Sequence, residues 1–294
     1  MFKRILVPLD GSKLAEKALP VALYWAQRFN AALIFFHVME QGGSTSIHGE
    51  HHLTGMDEAK AYLERLAESL KQSSIEIERH VHETKQANVP QSIIAHAQEL
   101  HTDLIVLCAH GSGGLRDIFI GSIAQQVIQR GKTPVFFIRP EHIRSPFSVQ
   151  KILVPLDRTE KHISCLPIAV EVARACGAAL RLMNIVATTT TLPPDIASAG
   201  IFLPGTMAAV LNLEQDSAFE YLTKVAGDLS TQGISCGGAV VRGDVSSEIL
   251  AASDESDMII MSTHARVNWE AFWEESVTPK VMAHANAPML LLRS

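Results

Sequence analysis

The chain repeats itself, and that repeat limits its fold more than any other feature. Lys3-Arg4-Ile5-Leu6-Val7-Pro8-Leu9-Asp10 returns as Gln150-Lys151-Ile152-Leu153-Val154-Pro155-Leu156-Asp157, 147 positions on (10 to 157). Asp103-Leu104-Ile105-Val106-Leu107-Cys108-Ala109-His110 returns as Asp257-Met258-Ile259-Ile260-Met261-Ser262-Thr263-His264, 154 positions on (103 to 257). The second copy therefore holds a few extra residues between its landmarks. Each copy closes on a proline, an apolar run and an arginine: Pro134-Val135-Phe136-Phe137-Ile138-Arg139 and Pro288-Met289-Leu290-Leu291-Leu292-Arg293. Three landmarks in one order describe two copies of one domain. The expected bounds are 1–140 and 148–294, joined by the proline- and charge-rich stretch from Pro140 to Pro146. A chain of 294 residues suits two domains of ordinary size.

Inside the first copy, apolar runs at residues 5–9, 32–38, 75–81, 104–108 and 135–138 alternate with helical patterns at 14–29, 56–70, 91–100 and 122–129. Runs apolar on both faces, joined by helices, predict a parallel sheet covered on both sides. The expected fold is α/β: two tandem doubly wound, Rossmann-like domains, each of five strands with flanking helices. A ligand in such a domain sits at the carboxyl ends of the strands.

Composition narrows the function. With 47% hydrophobic and 19% charged residues the chain can build ordinary cores. Its 25 basic against 31 acidic residues give a net charge of −6, which leaves no electrostatic footprint for a nucleic acid. No apolar stretch approaches the roughly 18 residues of a membrane span. Met1-Phe2-Lys3-Arg4 runs directly into a strand pattern without the longer apolar region of a signal peptide. Cys108, Cys165, Cys176 and Cys236 show no metal-ligand spacing and read as buried thiols. The expected location is the cytoplasm.

The segment after strand 104–108 carries the chemistry. Gly111, Gly113 and Gly114 follow a strand end, where bare backbone turns tightly and approaches a ligand closely. Gly121-Ser122 stands just before the helical pattern Ile123-Ala124-Gln125-Gln126-Val127-Ile128, with Ser122 placed to cap it. Open N–H groups at a helix start make an anion site, and two such elements on one unit suit a polyphosphate. A glycine-rich connection also serves as a plain turn, and a serine as a plain cap, so both readings stand at this point. The segment is neither a Walker loop nor a GxGxxG fingerprint.

The order VPLDGS, a strand ending His37-Val38, then His110-Gly111, nine residues and Gly121-Ser122 resembles the universal stress protein family, as a tandem two-domain member. The resemblance covers essentially the whole chain. It implies a fold akin to the adenine nucleotide α-hydrolases and a nucleotide held in the first copy. On that implication Asp10 accepts from the ribose or adenine side, and backbone groups of Val38 meet the adenine edge. Pro8 and Leu9 line an apolar wall, while Gly111, Gly121, Ser122 and Ile123 offer N–H groups to the phosphates. Cys108 stands where the family pattern has its leading glycine, which takes a little room from the phosphates. The implied cofactor is ATP, with Mg²⁺ held through the phosphates. Asp10 also fits a plain role as a cap on the helix that follows it, and sequence does not separate the two.

The second copy looks disarmed. Ala265 stands for Gly111 and Glu275 for Gly121, and residues 262–276 contain no glycine. Glu270, Glu274 and Glu275 put negative charge where phosphates need donors. Asp157 persists alone. His48, His51 and His52 suggest metal, but neighbours on an extended loop point apart, so no metal site is assigned; a lid role for that loop stays open. His110 and His264 recur in both copies, which favours packing over catalysis. The insertion from Thr188 to Met207 reads as an ordered loop or a flap.

No nucleophile, base and orienting acid stand together, so no catalytic residue is assigned. The leading expectation is an ATP-binding stress-response regulator with nucleotide in the first domain only. The alternatives are a dimerisation scaffold that binds no nucleotide, or a slow ATPase. The apolar last strands of the two copies are expected to pair within the chain, and a homodimer is a further expectation.

Overall fold

The computed structural model of the chain describes residues 1–40, 46–47, 50–51, 53, 55–84, 88–108, 122–157, 164–192, 196, 202–263 and 277–293. The chain forms two compact units, Met1–Ser148 with Pro288–Arg293, and Val149–Ala287.

Unit 1 runs β1 (Arg4–Pro8), α1 (Lys13–Glu16), α2 (Leu19–Phe29), β2 (Ala32–Glu40), the short hairpin β3 (Ser46–Ile47) and β4 (Glu50–His51), α3 (Met56–Ser69), β5 (Ile77–Thr84), α4 (Val89–Glu99), β6 (Leu104–Cys108), α5 (Ser122–Arg130) and β7 (Val135–Ile138). The final strand of the chain, β12 (Met289–Arg293), completes it. Its sheet has the order β5-β2-β1-β6-β7-β12. The first five strands are parallel, and β12 runs antiparallel to β7 with Leu290 opposite Phe136. Ile5, Leu6 and Val7 are wholly buried, as a strand covered on both faces requires.

Apart from the β3–β4 hairpin, each repeat thus supplies five strands, but the fifth of the second repeat lies in unit 1. The pairing of the two last strands matches expectation. Neither face nor edge of β7 is left open, because all four of its residues are buried between β6 and β12. Arg293 secures the junction by donating from Nη1 to the carbonyl oxygens of Gln129 and Gly131.

One helix predicted over residues 14–29 is two. Pro20 has no N–H to donate and would clash with the preceding turn inside a helix, so it opens α2 instead. α1 has its own cap: Ser12 Oγ accepts from the Ala15 N–H at 3.1 Å. α2 ends on Asn30 at φ +49, a left-handed cap that asparagine tolerates. Trp25, from α2, is buried against Phe29 and Phe136. Phe147 packs its edge on Tyr24, with ring centroids 5.0 Å apart, so the end of the linker is anchored on the unit 1 core.

Unit 2 runs β8 (Lys151–Pro155), α6 (Leu166–Cys176), β9 (Ala179–Val186), α7 (Pro204–Thr231), β10 (Cys236–Arg242), α8 (Val245–Ser253), β11 (Met258–Thr263) and α9 (Val277–His284). Its four parallel strands have the order β10-β9-β8-β11. The end of the predicted insertion is helical, since α7 begins at Pro204. At 28 residues α7 is twice the length of α3, at 14. Leu211 and Ala218 tie it to Val186 of β9.

The repeated landmarks have structural reasons. Asp103 Oδ2 accepts from the N–H groups of Lys3 and Arg4, and Asp257 Oδ2 accepts from those of Gln150 and Lys151 at 2.9 Å each. In both copies a carboxylate at the start of one strand collects the free N–H groups that open its neighbour. At the other end, His37 Nδ1 lies 2.7 Å from the Leu9 carbonyl oxygen, and Asn184 Nδ2 donates to that of Leu156 at 2.7 Å. A carbonyl accepts only, so Nδ1 of His37 is the protonated nitrogen. Two different residues do one job: they satisfy the carbonyl where the first strand of each copy ends.

Candidate functional site

The strand order of unit 1 reverses between β1 and β6: β2 and β5 lie to one side, β7 to the other. In an open parallel sheet the connections leave in opposite directions at such a point, and a crevice opens beyond the carboxyl ends. At that point the carboxyl ends carry Leu9 and Asp10, which follow β1, and Cys108, the last residue of β6. Val38 is on β2, the other neighbour of β1.

Local chemistry shapes this end of β1. Pro8 closes the strand, and Leu9 is buried with its N–H on the Phe36 carbonyl at 2.8 Å. Asp10 Oδ1 accepts from the Ser12 N–H at 3.0 Å and from Ser12 Oγ at 2.7 Å. The carboxylate therefore braces the turn while Ser12 caps α1, and Asp10 itself stays half-buried. Gly11 makes the turn at φ +93, a conformation L side chains rarely adopt. A Cβ on Gly11 would stand 2.9 Å from Cγ of the buried Leu53. The capping reading of Asp10 is thus corrected: Ser12 is the cap, and Asp10 holds the cap.

Cys108 is buried, and that burial pushes its thiol up to about 12, with Lys17 working against it and Glu141 and Asp10 with it. The same interactions show that Asp10 and Lys17 lie within electrostatic reach of the end of β6. Cys108 is a neutral, inert thiol at neutral pH, not a nucleophile. Ser122 and Ile123 open α5 and are both exposed, Ile123 at 42%. Ser122 is itself helical, so it does not stand outside α5 as the cap that the sequence suggested. Gly111, Gly113, Gly114 and Gly121, with His110, lie outside the described residues, as does the second-copy segment from His264 to Ser276. His48 and His52 lie outside them too.

Sequence reasoning missed three residues at this end of unit 1. Lys17 is an exposed cation near Cys108. Glu16 is held by Lys13 Nζ on Oε2 at 2.8 Å, and its Oε1 is buried. Tyr62, from α3, is buried, and its hydroxyl is driven upward first by that burial and then by the carboxylates of Glu16 and Asp10. The signal for Tyr62 was present as a fourth landmark. Tyr62-Leu63 and Tyr221-Leu222 each stand 15 residues before the next strand (62 to 77, 221 to 236).

In unit 2 the matching end of β8 holds Asp157, Ser164, Cys165 and Ser262, with Ser164 Oγ 3.3 Å from Ser262 Oγ. Cys165 is wholly buried, and burial carries its thiol up to about 11 against a hydrogen bond from Ser262. Tyr221 is raised by burial, then by Cys165 and Asp157. Among the described residues no group of three or more His, Cys, Asp or Glu could hold a metal ion. Among them, too, no helix is long and apolar enough to cross a membrane.

Against known proteins, a family model described as the universal stress protein family matches residues 1–139 and again 148–293. The universal stress protein YxiE of Bacillus subtilis is 32% identical over 149 residues, covering 47% of this chain and all of that protein. A universal stress protein structure from Archaeoglobus fulgidus DSM 4304 covers 99% of this chain and 96% of its own, at 15% identity and a TM-score of 0.71, which shows the shared fold. Another Archaeoglobus fulgidus member, solved in complex with dAMP, is 24% identical over 47% of this chain and 98% of its own, with a TM-score of 0.36.

Proposed function

The chain belongs to the universal stress protein family, as a tandem of two of its domains, and from that premise we propose that it is an ATP-binding regulator whose nucleotide is held by unit 1 alone. The observation that carries this is the meeting of Asp10 and the end of β6 at the strand-order reversal, with the exposed start of α5 following β6. A half-buried carboxylate suits a ribose hydroxyl, and N–H groups at a helix start suit phosphate. These two chemistries at one crevice fit the two ends of a nucleotide.

In this reading Pro8 and Leu9 form the apolar wall, Val38 offers backbone groups to the adenine edge, and Asp10 takes the sugar. Gly111, Gly121, Ser122 and Ile123 give N–H groups to the phosphates, and Cys108 stands beside them as a neutral side chain. Mg²⁺, when present, is held through the phosphates and neutralises their charge. Occupancy regulates by favouring whichever state binds nucleotide better, since a ligand shifts an equilibrium only through differential affinity. Slow hydrolysis would need nothing beyond this positioning.

Nucleotide extraction and native mass spectrometry of the freshly purified full chain test the reading. One adenine nucleotide per chain is expected, lost in Gly121→Glu and kept in Asp157→Asn. Asp10→Asn lowers affinity roughly 10- to 100-fold, the weight of a charge-assisted hydrogen bond. A chain that takes up no nucleotide even with Mg-ATP added sinks the proposal. That outcome would favour the scaffold reading, for which α7 and the residues just before it supply an observation: Phe202, ahead of the helix, and Leu213 and Phe219, on it, are 83%, 68% and 61% exposed.

A further inference from the structure

Two buried polar atoms without a hydrogen-bond partner lie beside the same turn: the Tyr62 hydroxyl and Glu16 Oε1. Tyr62 is only 3% exposed, and buried hydroxyls of folded proteins are nearly always satisfied. The Gly11 N–H faces the phenol oxygen without closing a hydrogen bond, and the Glu16 and Asp10 carboxylates act on it from the same end of β1. The ring is held in place by Arg65, whose guanidinium sits 5.3 Å from its centroid. The other oxygen of Glu16 is committed to Lys13. One fixed O–H and one fixed carboxylate oxygen are thus oriented, desolvated and unused.

The kind of group they suit follows from their chemistry. A carboxylate oxygen only accepts, and a phenol both donates and accepts. Their complement is a group that donates to one and exchanges a hydrogen bond with the other. Vicinal hydroxyls of a sugar do both. A phosphate does not, because Glu16 and Asp10 repel it, which leaves the phosphates to the start of α5. The phenol-to-aspartate approach recurs as Tyr221 and Asp157 in unit 2. There the tyrosine is half-exposed and is not among the orphaned groups. The approach therefore belongs to the fold, while burial without a partner belongs to unit 1.

We propose that Tyr62 and Glu16 are the sugar-reading residues of unit 1, selecting a ribose over a 2′-deoxyribose through the diol they engage. Leu53, packed over Gly11, is the side chain that yields as the sugar enters. This inference rests on nucleotide binding by unit 1, and it adds two positioning residues that the sequence did not single out.

Titration calorimetry of the full chain with ATP and with 2′-deoxy-ATP tests it. Wild type is expected to favour ATP about tenfold, the weight of one good hydrogen bond to a buried partner. Tyr62→Phe is expected to weaken ATP to the level of the deoxy form while leaving the deoxy affinity unchanged, and Glu16→Gln to narrow the ratio in the same direction. Because Tyr62→Phe removes an unpartnered hydroxyl, the ligand-free variant should melt no lower than wild type, which separates a ligand role from a structural one. A wild-type preference that survives both substitutions overturns this inference and leaves nucleotide binding standing. Binding of neither nucleotide by the wild type overturns both.

Discussion

Gly11→Ala is the sharpest perturbation of the end of β1, and its cost can be built from two separate contributions. At φ +93 a Cβ costs about 1–2 kcal/mol of backbone strain. The added carbon would also stand 2.9 Å from Leu53 Cγ and 3.2 Å from its Cδ1. Leu53 is buried, so relief requires moving a packed side chain, for roughly another 1–2 kcal/mol. The substitution should therefore destabilise unit 1 by about 2–4 kcal/mol. Gly177→Ala is the control: its φ is +67 but nothing lies within 4 Å of the new Cβ, leaving only the backbone contribution, in unit 2. Hydrogen exchange read by mass spectrometry on β1 and β2 peptides, with β8 and β9 peptides as the internal reference, reports each unit separately. Exchange through unfolding of unit 1 should speed up roughly 30- to 1000-fold in Gly11→Ala, at tenfold per 1.4 kcal/mol. Leu53→Ala should relieve the collision, making the double substitution milder than the sum of the two by about 1–2 kcal/mol. Equal costs for Gly11→Ala and Gly177→Ala, or strict additivity with Leu53→Ala, would refute the contact.

Other expectations are equally concrete. Burial holds the Cys108 thiol near 12 and that of Cys165 near 11, above an unfolded value of about 8.5. The stability linked to each neutral thiol is full below the unfolded value and is lost as pH rises through the folded one. At pH 8 iodoacetamide should modify Cys108 roughly three orders of magnitude more slowly in native protein than in urea, following the thiolate fraction; fast native labelling there would contradict its burial. Asp103→Ala and Asp257→Ala each strip two backbone N–H groups of a carboxylate and should cost about 1–2 kcal/mol, each in its own unit, by the same exchange measurement. Ser12→Ala should cost about 1 kcal/mol as a lost cap and also remove the hydroxyl hydrogen bond to Asp10 Oδ1, leaving only the backbone N–H of residue 12 on that oxygen, so affinity for ATP should change along with stability. Loss of stability with unaltered ATP affinity would separate Asp10 from the ligand.

Much of the fold is legible because it follows from patterns that act locally. Ile5, Leu6 and Val7 in a row, in a series of short apolar runs alternating with helical patterns, fit a strand covered on both faces, and apart from the β3–β4 hairpin the strands of the first repeat fall where the apolar runs do. Where reading failed, something non-local or stereochemical decided. Pro20 split one helical pattern into two because a missing N–H and a ring clash outweigh side-chain periodicity. The added residues of the second copy went partly into helix, since Leu211 and Ala218 find apolar partners on β9. That β12 would complete the sheet of unit 1 was readable only as an unsatisfied apolar edge, and pairing is what removes such an edge.

The candidate site was legible in its backbone and opaque in its side chains. Glycines, a strand-end carboxylate and a helix start mark where a ligand can approach, because they are the residues that permit close approach and unpaired N–H groups. Tyr62 and Glu16 carry no such mark. A tyrosine within a helical pattern reads as core, and a glutamate beside a lysine reads as a surface pair. Only three-dimensional placement shows one oxygen of each buried at the same turn with nothing to bind. The recurrence of Tyr62 as Tyr221 sharpens the point. Two copies of one fold bring a phenol to the same carboxylate, yet burial differs, and with it the cost of leaving the hydroxyl unused. An evolved interior rarely keeps an unused donor and an unused acceptor near one turn, too far apart to satisfy each other, unless a third group arrives to join them, and in a nucleotide-binding unit that group is most simply the one part of the ligand that can both donate and accept.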